Sequence, residues 1–391
     1  MTTFFLIVFS VSLLLALHPF VTYPLSLLAL KGVKALKALR HRPGEPPAQQ
    51  GQLSFAICMC AYNEEAVIEE KVLNLLSLKD REPELQIYIY VDAATDQTAD
   101  ILRKYESDLN LHISPERHGK TYGMNLLSLQ ASAADILVFT DANVMLDRYC
   151  LRDLKRHFAD PQIGCVCGNL IYTNGDASVT ASTGSLYWRF EEAIKRLEAD
   201  TGSSMGADGS IFAVRRSLRR APPDHIIDDM YVSLMVIVEG HRMIQARDVR
   251  GYEESVTRSG EEFNRKVRIA CQAFNVHKLL WPRLRQLDFL TRYKYVSHKL
   301  LRCGCIYLLA IAAVAFIAAL LSAGHALLAA ALVGAAMVAG LLGHRWSIKP
   351  FAQVVDLLTA LAGTGLGVWR SIRGERFQTW TPANSIRGAS R

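Results

Sequence analysis

The sequence predicts an α/β fold with a mostly parallel sheet, and two observations lead to this prediction. Between about residues 53 and 275, short apolar runs of strand length alternate with segments whose apolar residues recur at helical spacing. Such alternation is typical of a parallel sheet with helices on both faces. Long apolar stretches lie on either side of this region, so we expect membrane helices to flank the α/β domain.

The predicted elements alternate in order along the first half of this domain. The strands read "LSFAICMCA" (53–61), "LQIYIYVD" (85–92) and "DILVFTD" (135–141). The helices read "EEAVIEEKVLNLLSL" (64–78), "DQTADILRKYE" (96–106) and "KTYGMNLLSLQASA" (120–133). Asp96 stands where it could cap the second of these helices.

Residues 1–30 are apolar over more than the roughly 20 residues that a membrane-spanning helix needs. They lack the positive n-region and the small-residue cleavage site of a signal peptide, so we expect a retained anchor. A basic linker, residues 31–52, follows directly and carries Lys31, Lys34, Lys37, Arg40 and Arg42. By the positive-inside rule, this linker predicts that the α/β domain of residues 53–275 faces the cytoplasm.

The region after the α/β domain also divides by hydropathy. We expect interfacial helices in residues 276–302, two membrane spans in 303–343, and a third apolar segment with a basic tail in 344–391. The third segment carries Asp356 and several glycines, and a full crossing would put the arginine-rich tail outside. We therefore expect it to be interfacial or re-entrant in a multi-pass protein of the inner membrane.

The composition argues against several classes of protein. A net charge of +7 on 391 residues, with no basic run interleaved with aromatics, gives no indication of nucleic-acid binding. The eight cysteines include three C-x-C pairs rather than the C-x-x-C spacing of zinc sites, and a cytoplasmic domain does not favour disulfides. We expect these cysteines to be small buried residues. The sequence does not indicate an oligomeric state.

Polar side chains cluster where the predicted strands end. They are Tyr62, Asn63 and Glu64 after the first strand, Asp92 at the second, and Asp141 and Asn143 at the third. Taken alone, Asp141 and Asn143 could form an ordinary turn, or could hold a hard cation, because residues two apart in an extended chain share a face. Ligands bind beyond the carboxyl ends of parallel strands, so three acidic strand ends on one edge favour a binding site.

In this order and spacing, the motifs resemble those of the membrane-associated family 2 glycosyltransferases, which have the GT-A nucleotide-sugar-binding fold. The resemblance covers about residues 53–275 and the flanking membrane helices, and its first three motifs are "AYNEE", "VDAATDQT" and "HGKTYGMN". It implies that Tyr62, Asn63 and Glu64 approach the nucleoside, that Asp92 contacts the base and that Lys120 lies near the phosphates. From the residues alone, Asp92 could instead belong to a turn and Lys120 could be an exposed lysine at a helix start.

"TDAN" resembles the metal-binding D-x-D element of this family. The resemblance implies a divalent cation, Mg²⁺ or Mn²⁺, bound by Asp141 and Asn143 and bridging the phosphates of the donor. Asn143 departs from the usual second aspartate. An amide brings no charge, so we expect a weaker metal affinity than in relatives with two aspartates.

Two further motifs resemble the acceptor side and the catalytic base of the family. "SSMGADGSIFAVRRSL" implies acceptor contacts by Gly206 and Asp208, although Asp208 could equally stabilise its own loop. "IIDDMYVSLMVIVEGHRM" places Asp228 and Asp229 before a helix that Gly240 would end. The resemblance makes Asp229 the base that takes the proton of the acceptor hydroxyl, with Asp228 as its acidic neighbour. The alternative is that both aspartates only cap the helix.

"EEFNRKVRIACQAF" stands where processive members carry Q-x-x-R-W. Here the Gln is replaced by Arg265 and the Trp by Ile269, whereas Arg268 keeps the arginine. We expect Arg265 and Arg268 to face the diphosphate, because guanidinium groups pair with phosphate in bidentate fashion. The missing Trp removes the expected platform for an acceptor sugar, which argues against a long-chain synthase.

The resemblance implies an inverting glycosyltransferase of the cell envelope. It would move a sugar from a nucleotide-sugar donor, expected to be a UDP-sugar, to a lipid-linked or glycan acceptor beside membrane lipids. Three alternatives remain: a processive polysaccharide synthase, a catalytically weak nucleotide-sugar-binding subunit of a polysaccharide export complex, and a nucleotidyltransferase on a similar sheet.

Overall fold

The computed structural model describes residues 1–38, 53–173, 179–254 and 259–380. Most of the predicted linker and the last arginines of the tail, Arg387 and Arg391, lie outside these ranges. The strands are β1 Phe55–Ala61, β2 Gln86–Asp92, β3 Asn110–Ser114, β4 Ile136–Asp141, β5 Met145–Leu146, β6 Ile163–Tyr172, β7 Ile211–Arg215 and β8 Arg242–Glu253. The helices up to residue 284 are α1 Thr2–Leu17, α2 Thr22–Ala38, α3 Ile68–Lys79, α4 Thr98–Arg103, α5 Lys120–Gln130, α6 Cys150–Phe158, α7 Val179–Asp200, α8 Asp228–Val238 and α9 Ser259–Leu284. They are followed by α10 Phe289–Tyr295, a π-helical turn Val296–Leu300, α11 Leu301–Ser322, α12 Ala326–Trp346 and α13 Phe351–Ile372.

The described strands form one sheet in the order β3-β2-β1-β4-β7-β6-β8-β5. The pairs β1–β2, β1–β4, β2–β3 and β6–β8 are parallel, whereas β7 runs antiparallel to β4 and β6, and β5 antiparallel to β8. The predicted α/β fold with a mostly parallel sheet is therefore confirmed. The three strands predicted from the sequence begin within two residues of β1, β2 and β4 and end with them.

Helices cover both faces of this sheet. Along β1, Ile57 and Met59 belong to the core on one face, and Cys58 and Cys60 to the core on the other. Because both faces are covered, every residue of β1 is buried, as is typical of parallel strands. All eight cysteines are buried and unpaired, which confirms their expected role as small core residues.

The apolar N-terminal stretch is two helices rather than one. α1 and α2 meet at a bend of 55°, at a turn that contains Pro19, which cannot continue the hydrogen bonding of a helix. The ring nitrogens of His18 bond Thr22 Oγ1 at 2.7 Å and Ser297 Oγ at 2.9 Å, which fixes the turn against the C-terminal half of the chain. α2 then packs on the α/β domain, where Lys31 pairs with Asp200 at 2.7 Å.

α1 and α11 form an antiparallel pair. Thr2 Oγ1 lies 2.9 Å from Ser322 Oγ at one end, and Cys305 Sγ lies 3.6 Å from the carbonyl oxygen of Ala16 at the other. Three described helical segments are long and apolar enough to cross a membrane: Phe289–Ser322, Ala326–Trp346 and Phe351–Ile372. The bent pair of α1 and α2 also passes this test when its two helices are taken together.

α13 packs closely along α9 of the α/β domain. A Cβ at Gly367 would lie 2.4 Å from the carbonyl oxygen of Val267, so only glycine allows this approach of the two backbones. Lys278 Nζ donates to the carbonyl oxygen of Ser371 at 2.6 Å. After α13 the chain continues across the α/β domain as residues 374–380, which we call the C-terminal strap.

Candidate active site

The sheet brings the ends of β1, β2 and β4 side by side. In the parallel register, Cys60 of β1 is the partner of Asp141, the last residue of β4, and Val91 of β2 is the partner of Ala61. Asp92 and Asp141 therefore flank the loop that follows β1. This is the edge at which the sequence predicted a binding site.

Lys120 and Asp141 form an ion pair at the centre of this edge. Lys120 Nζ lies 2.5 Å from Asp141 Oδ1. Lys120 is the first residue of α5 and follows Gly119, whose φ of +92° favours glycine. Burial disfavours the charged ammonium, but Asp141 and Asp228 outweigh this effect, so the pKa of Lys120 lies above its ordinary value. The amine is therefore a fixed positive charge.

Asp229 lies next to this pair, at the start of α8. One of its oxygens accepts a 2.6 Å hydrogen bond from the Met230 N–H, and the other lies 2.9 Å from the position that a Cβ of Gly209 would occupy. Lys120 Nζ lies 3.1 Å from the same position. The missing side chain of Gly209 therefore leaves an opening between the carboxylate and the ammonium.

The environment of Asp229 suits a proton acceptor. Burial and the neighbouring Asp228 raise the pKa of Asp229 to about 7, although Lys120 opposes this rise. Asp228 is itself buried, and its Oδ2 has no hydrogen-bond partner among the described residues. Among the described residues, the only side-chain hydrogen bond of these two aspartates to the start of α8 is the one that Asp229 accepts from the Met230 N–H, so capping alone does not account for the pair.

Asn143 bonds a carboxylate that the sequence motifs did not point to. Its Nδ2 donates to Glu253 Oε1 at 2.8 Å, from the last residue of β8. Among the described residues there is no group of three His, Cys, Asp or Glu side chains that could hold a metal ion. The residues fit a cation that takes most of its ligands from phosphate and water, as Mg²⁺ commonly does, with Asp141 as the protein ligand.

The side chain of Lys71 hydrogen-bonds the loop between Asp141 and Val144. It is fully buried in α3, and its Nζ donates to the carbonyl oxygen of Val144 and lies 3.3 Å from Thr140 Oγ1. Burial lowers the pKa of Lys71 to about 7, although Asp141 opposes this shift. The "TDAN" loop therefore rests on a buried amine rather than on apolar side chains alone.

Asp92 organises the loop before α5. It is fully buried and accepts hydrogen bonds from the backbone N–H groups of His118 at 2.7 Å and Gly119 at 3.1 Å. Arg117 Nε lies 3.4 Å from its other oxygen. With these donors in place, Asp92 holds the 117–119 loop against the end of β2.

The C-terminal strap covers this loop. Arg117 lies 3.4 Å above the ring of Tyr62 and donates from Nη2 to the carbonyl oxygen of Trp380 at 2.7 Å. The Trp380 ring meets Tyr62 edge to face, and Gln378 Nε2 donates to the carbonyl oxygen of His118 at 3.0 Å. The strap, Arg117 and Tyr62 thus form one packed unit over the end of β2.

Asn63 and Glu64 have structural contacts of their own. Asn63, at φ +54°, accepts from the Thr95 N–H at 2.8 Å and so ties the loop after β1 to the loop after β2. Glu64 is buried, and its N–H donates to Thr98 Oγ1 at 2.8 Å. Asp96, the predicted cap of α4, accepts from the Thr98 N–H at 3.0 Å.

Arg268 of α9 is an arginine that interacts electrostatically with Asp141 and Asp229. Burial and the nearby Arg265 lower its pKa to about 10, while Asp141 and Asp229 act in the opposite direction, so both carboxylates lie within electrostatic reach of Arg268. Arg268 Nη1 lies 3.4 Å from Gln272 Oε1, and Gln272 donates to the carbonyl oxygen of Phe377 in the strap at 2.8 Å.

The predicted acceptor residues lie on the other side of Asp229. Gly206 has a φ of +96°, and a Cβ there would lie 3.5 Å from Lys299 Cε and 3.8 Å from Met230 Cγ. Asp208 forms an ion pair with the buried Lys195 of α7. Asp208 therefore has a contact that stabilises its own loop, which was the alternative to a role in binding the acceptor.

Comparison with known proteins agrees with this geometry. Residues 56–221 match the family model described as Glycosyl transferase family 2. The chain carries a family 2 glycosyltransferase domain. The matched range includes Asp92, Lys120 and Asp141, whereas Asp229 and Arg268 lie beyond its end.

Two curated relatives are similar over part of their length. "N-acetylglucosaminyltransferase" of Rhizobium sp. (strain N33) is 24% identical over 294 residues, which cover 69% of this chain and 64% of the relative. "Poly-beta-1,6-N-acetyl-D-glucosamine synthase" of Staphylococcus aureus (strain COL) is 27% identical over 195 residues, which cover 47% of this chain and 46% of the relative. The match spans less than two thirds of the length of either relative.

A solved structure extends the likeness over almost the whole chain. The mannosyltransferase from Pyrobaculum calidifontis in complex with GDP-Man and Mn²⁺ is 21% identical, with a TM-score of 0.66 over 94% of this chain and 99% of that one. This similarity shows a shared fold. The family 2 domain therefore has the GT-A architecture that its motifs predicted.

The sequence did not point to several residues of the site in the family 2 domain. Arg117, Glu253 and Trp380 join the site through contacts between segments distant in sequence, and Lys71 reads as an ordinary helix lysine. Only Arg117 had a local signal, because it directly precedes the "HGK" loop.

Proposed function

We propose that this protein transfers a sugar from a nucleotide-sugar donor to a lipid-linked or membrane-proximal glycan acceptor, with inversion at the anomeric carbon. The observation that carries the proposal is the opening at Gly209, where the Asp229 carboxylate and the Lys120–Asp141 pair lie within a few ångströms of one another. A base and a phosphate-binding charge are the two groups that such a transfer needs at one point.

Each group has a role in this proposal. Asp229 takes the proton from the acceptor hydroxyl as it attacks the anomeric carbon, while Lys120 and Arg268 face the diphosphate that leaves. Asp92, with Tyr62 and Arg117, shapes the nucleoside end of the donor site. A divalent cation bound by Asp141 would neutralise charge on the diphosphate, and Asn143 lies next to that position.

The donor is proposed to be a nucleoside-diphosphate sugar, with UDP-sugars tested first. The curated relatives are named for transferring or polymerising N-acetylglucosamine, which supports an N-acetylhexosamine donor. The solved structure holds GDP-Man, so GDP-mannose belongs in the same screen.

The domain is proposed to face the cytoplasm at the inner membrane. Its contacts with α2 support this, since Lys31 and Lys34 lie on the flank that follows α1 and both bond the end of α7, at Asp200 and at the carbonyl oxygen of Thr201. An acceptor embedded in the same membrane would reach Asp229 without leaving the bilayer surface.

One rival function has a specific observation in its favour. Lys120 neutralises Asp141, and Asn143 is engaged by Glu253, so the proposed metal position is already satisfied by protein contacts. A subunit that binds nucleotide sugars without turnover would have such a site. A processive synthase is disfavoured, because Ile269 stands where those enzymes carry Trp.

The test is a donor screen on the full chain in lipid nanodiscs. Release of nucleoside diphosphate is measured for each common nucleotide sugar with Mg²⁺, Mn²⁺ or EDTA, and with total membrane lipid as the acceptor source. We expect metal-dependent release with one donor, and a loss of at least about a hundredfold in Asp229→Asn. Asp80→Asn, at an exposed position directly after α3, is the matched control. Donor binding without release by the wild type would favour the non-catalytic rival.

A further inference from the structure

A second charged cluster lies where the family 2 domain meets the membrane helices. Glu191 of α7 is buried and contacts three basic side chains: Arg302 of α11, Lys299 at 3.3 Å, and His298 at 2.8 Å. Arg302 and Lys299 thus bring two positive charges to one carboxylate. The second carboxylate, Glu198, bonds His298 at 2.7 Å and reaches neither Arg302 nor Lys299 through a hydrogen bond among the described residues.

Arg302 uses only one side of its guanidinium. Nη1 donates to Glu191 and lies 3.3 Å from Tyr187 Oη. Nε and Nη2 are buried and find no hydrogen-bond partner among the residues that the structure describes. These two nitrogens form the edge that binds phosphate or carboxylate through two parallel hydrogen bonds. Buried donors without a partner lower the stability of the folded protein, so an edge of this kind indicates a binding site for an anionic ligand.

The surroundings of Arg302 resemble a membrane surface. Arg302 immediately precedes the apolar run that begins at Cys303, and its guanidinium lies 5.3 Å from the ring of Phe20, in the turn between α1 and α2. Aromatic and basic side chains are typical of the level at which lipid headgroups lie. An oxyanion that reaches the free edge displaces some of the side chains that cover it, and Phe20 is one of those beside it.

The cluster continues toward the candidate base. Lys299 contacts both Glu191 and the open side of Gly206, and Met230 contacts the same side of Gly206 directly after Asp229 in the chain. A row of neighbouring residues therefore runs from Arg302 through Glu191, Lys299 and Gly206 to Met230, the residue that follows Asp229. It joins the membrane surface to the acceptor side of the proposed active site.

We propose that the free edge of Arg302 binds the phosphate of an amphiphilic acceptor, with Lys299 as the second cation. This inference rests on the proposed function, because it names the chemical class of that acceptor. Lys299 and Gly206 separate the phosphate site from Asp229, so the attacking hydroxyl belongs to a group attached beyond the phosphate. The acceptor is then a phosphate-bearing lipid with a polyol or glycosyl head.

The test measures lipid binding independently of sugar transfer. The full chain in phosphatidylcholine nanodiscs is titrated with a long-chain alkyl phosphate, with the matching alcohol and with inorganic phosphate. We expect the alkyl phosphate to bind at least about tenfold more tightly than the alcohol, with inorganic phosphate competing only weakly. Arg302→Lys keeps the charge but loses the two-donor edge, and should lose about tenfold in affinity. Arg345→Met, at the exposed end of α12, should leave binding unchanged.

Each other outcome decides against the proposal. Equal binding of alcohol and phosphate, or unchanged binding by folded Arg302→Lys, would make Arg302 only a clamp between α7 and α11. Inorganic phosphate binding as tightly as the lipid would assign the edge to a free anion. If Arg302→Lys does not fold, Lys299→Met decides, and unchanged affinity in that variant overturns the proposal.

The test also separates this inference from the proposed function. Asp229→Asn should bind the alkyl phosphate as the wild type does, because the base does not hold the phosphate. Lipid binding without any sugar transfer in the donor screen would therefore refute the proposed function alone. Sugar transfer without phosphate-dependent lipid binding would refute the Arg302 site alone.

Discussion

Among single residues, Asp229 has the properties of a base that works near neutral pH. Its pKa of about 7 means that the carboxylate forms as the pH rises through neutrality. We expect kcat/KM to rise with pH and to reach half its maximum near pH 7, because this parameter follows the ionisation of the free enzyme. Initial rates over a pH series would measure it. A profile that is flat from about pH 5 to about pH 9 would contradict Asp229 as the base.

The same pKa predicts an effect on stability. Asp229 has an ordinary value of 3.8 and a folded value of about 7, so the folded protein binds the extra proton between these values. The contribution of Asp229 to stability is therefore fully present below the lower value and is lost as the pH rises through the higher one. Asp229→Asn should gain thermal stability relative to the wild type at about pH 8 and not at about pH 4. Asp80→Asn, an exposed aspartate directly after α3, serves as the control.

Asn143 and Glu253 can be tested as a pair. Asn143→Asp restores the usual D-x-D pattern, but it places a carboxylate 2.8 Å from Glu253, where two like charges repel. We expect this single change to lower metal-dependent release by about tenfold, and Glu253→Gln added to it to restore the loss. If Asn143→Asp alone lowers the Mn²⁺ concentration needed for half-maximal release, the side chains of residues 143 and 253 do not interact as they do in the structure. Measured release at graded Mn²⁺ concentrations distinguishes these results.

These residues also show what local sequence could predict. Asp141 was predicted from a strand end, and Lys120 and Asp229 from motifs of the resemblance, all of which are local features. In the structure, Asp229 and Lys120 lie 2.9 Å and 3.1 Å from the Cβ position of Gly209, and Asp141 pairs with Lys120. Arg117, Glu253 and Trp380 were not found, because their contacts join residues that are 25 to 263 positions apart. The roles of Asp92 and Asn63 as loop supports depend on where neighbouring backbone N–H groups lie, which the sequence does not contain.

At the level of elements, the C-terminal strap and the loop before α5 fit each other through Gly119. A Cβ there would lie 2.1 Å from the carbonyl oxygen of Gln378. Gly119→Ala should therefore separate the strap from the loop. Arg376 is already exposed, so the effect comes from a looser backbone around it, which trypsin should cleave at least about fivefold faster. Gly240→Ala is a matched control, because Gly240 has a similar φ of +84° and nothing within 4 Å of its Cβ position.

If Gly119→Ala and Gly240→Ala are cleaved equally, backbone strain rather than contact with the strap explains the result.

The bounds of the elements show how far the sequence could predict them. β1, β2 and β4 were predicted closely because buried parallel strands are apolar throughout, whereas the break between α1 and α2 was missed despite Pro19. Hydropathy alone shows a continuous apolar stretch. His18 fixes the bend by bonding Thr22 and Ser297, and Ser297 is too distant in the sequence for a local pattern to predict this contact.

At the level of the whole molecule, the strap constrains the path through the membrane. The chain leaves the family 2 domain before α11 and returns to it at residues 374–380, so any membrane crossings made by α11, α12 and α13 must be even in number. We propose that α11 and α12 cross and that α13 lies at the interface along α9. The loop between α11 and α12 then faces the opposite side from the strap.

This arrangement can be checked by cysteine labelling in intact cells. All eight native cysteines are buried, so the background should be low. His325→Cys, in the loop between α11 and α12, should react with an impermeant maleimide from outside. Arg373→Cys, at the end of α13, should react only after the cells are opened. Labelling of both positions from outside would mean that α13 crosses the membrane and that the strap contacts are wrong.

The strap also determines when the proposed donor site is completed during synthesis. The loop before α5 leaves the ribosome more than 250 residues before Trp380, and its covering segment comes after α11, α12 and α13. The family 2 domain can fold first, but its donor site acquires Tyr62–Trp380 packing only after α11, α12 and α13 have been placed. Nascent chains stalled before residue 374 would therefore hold a folded domain whose donor site is still open.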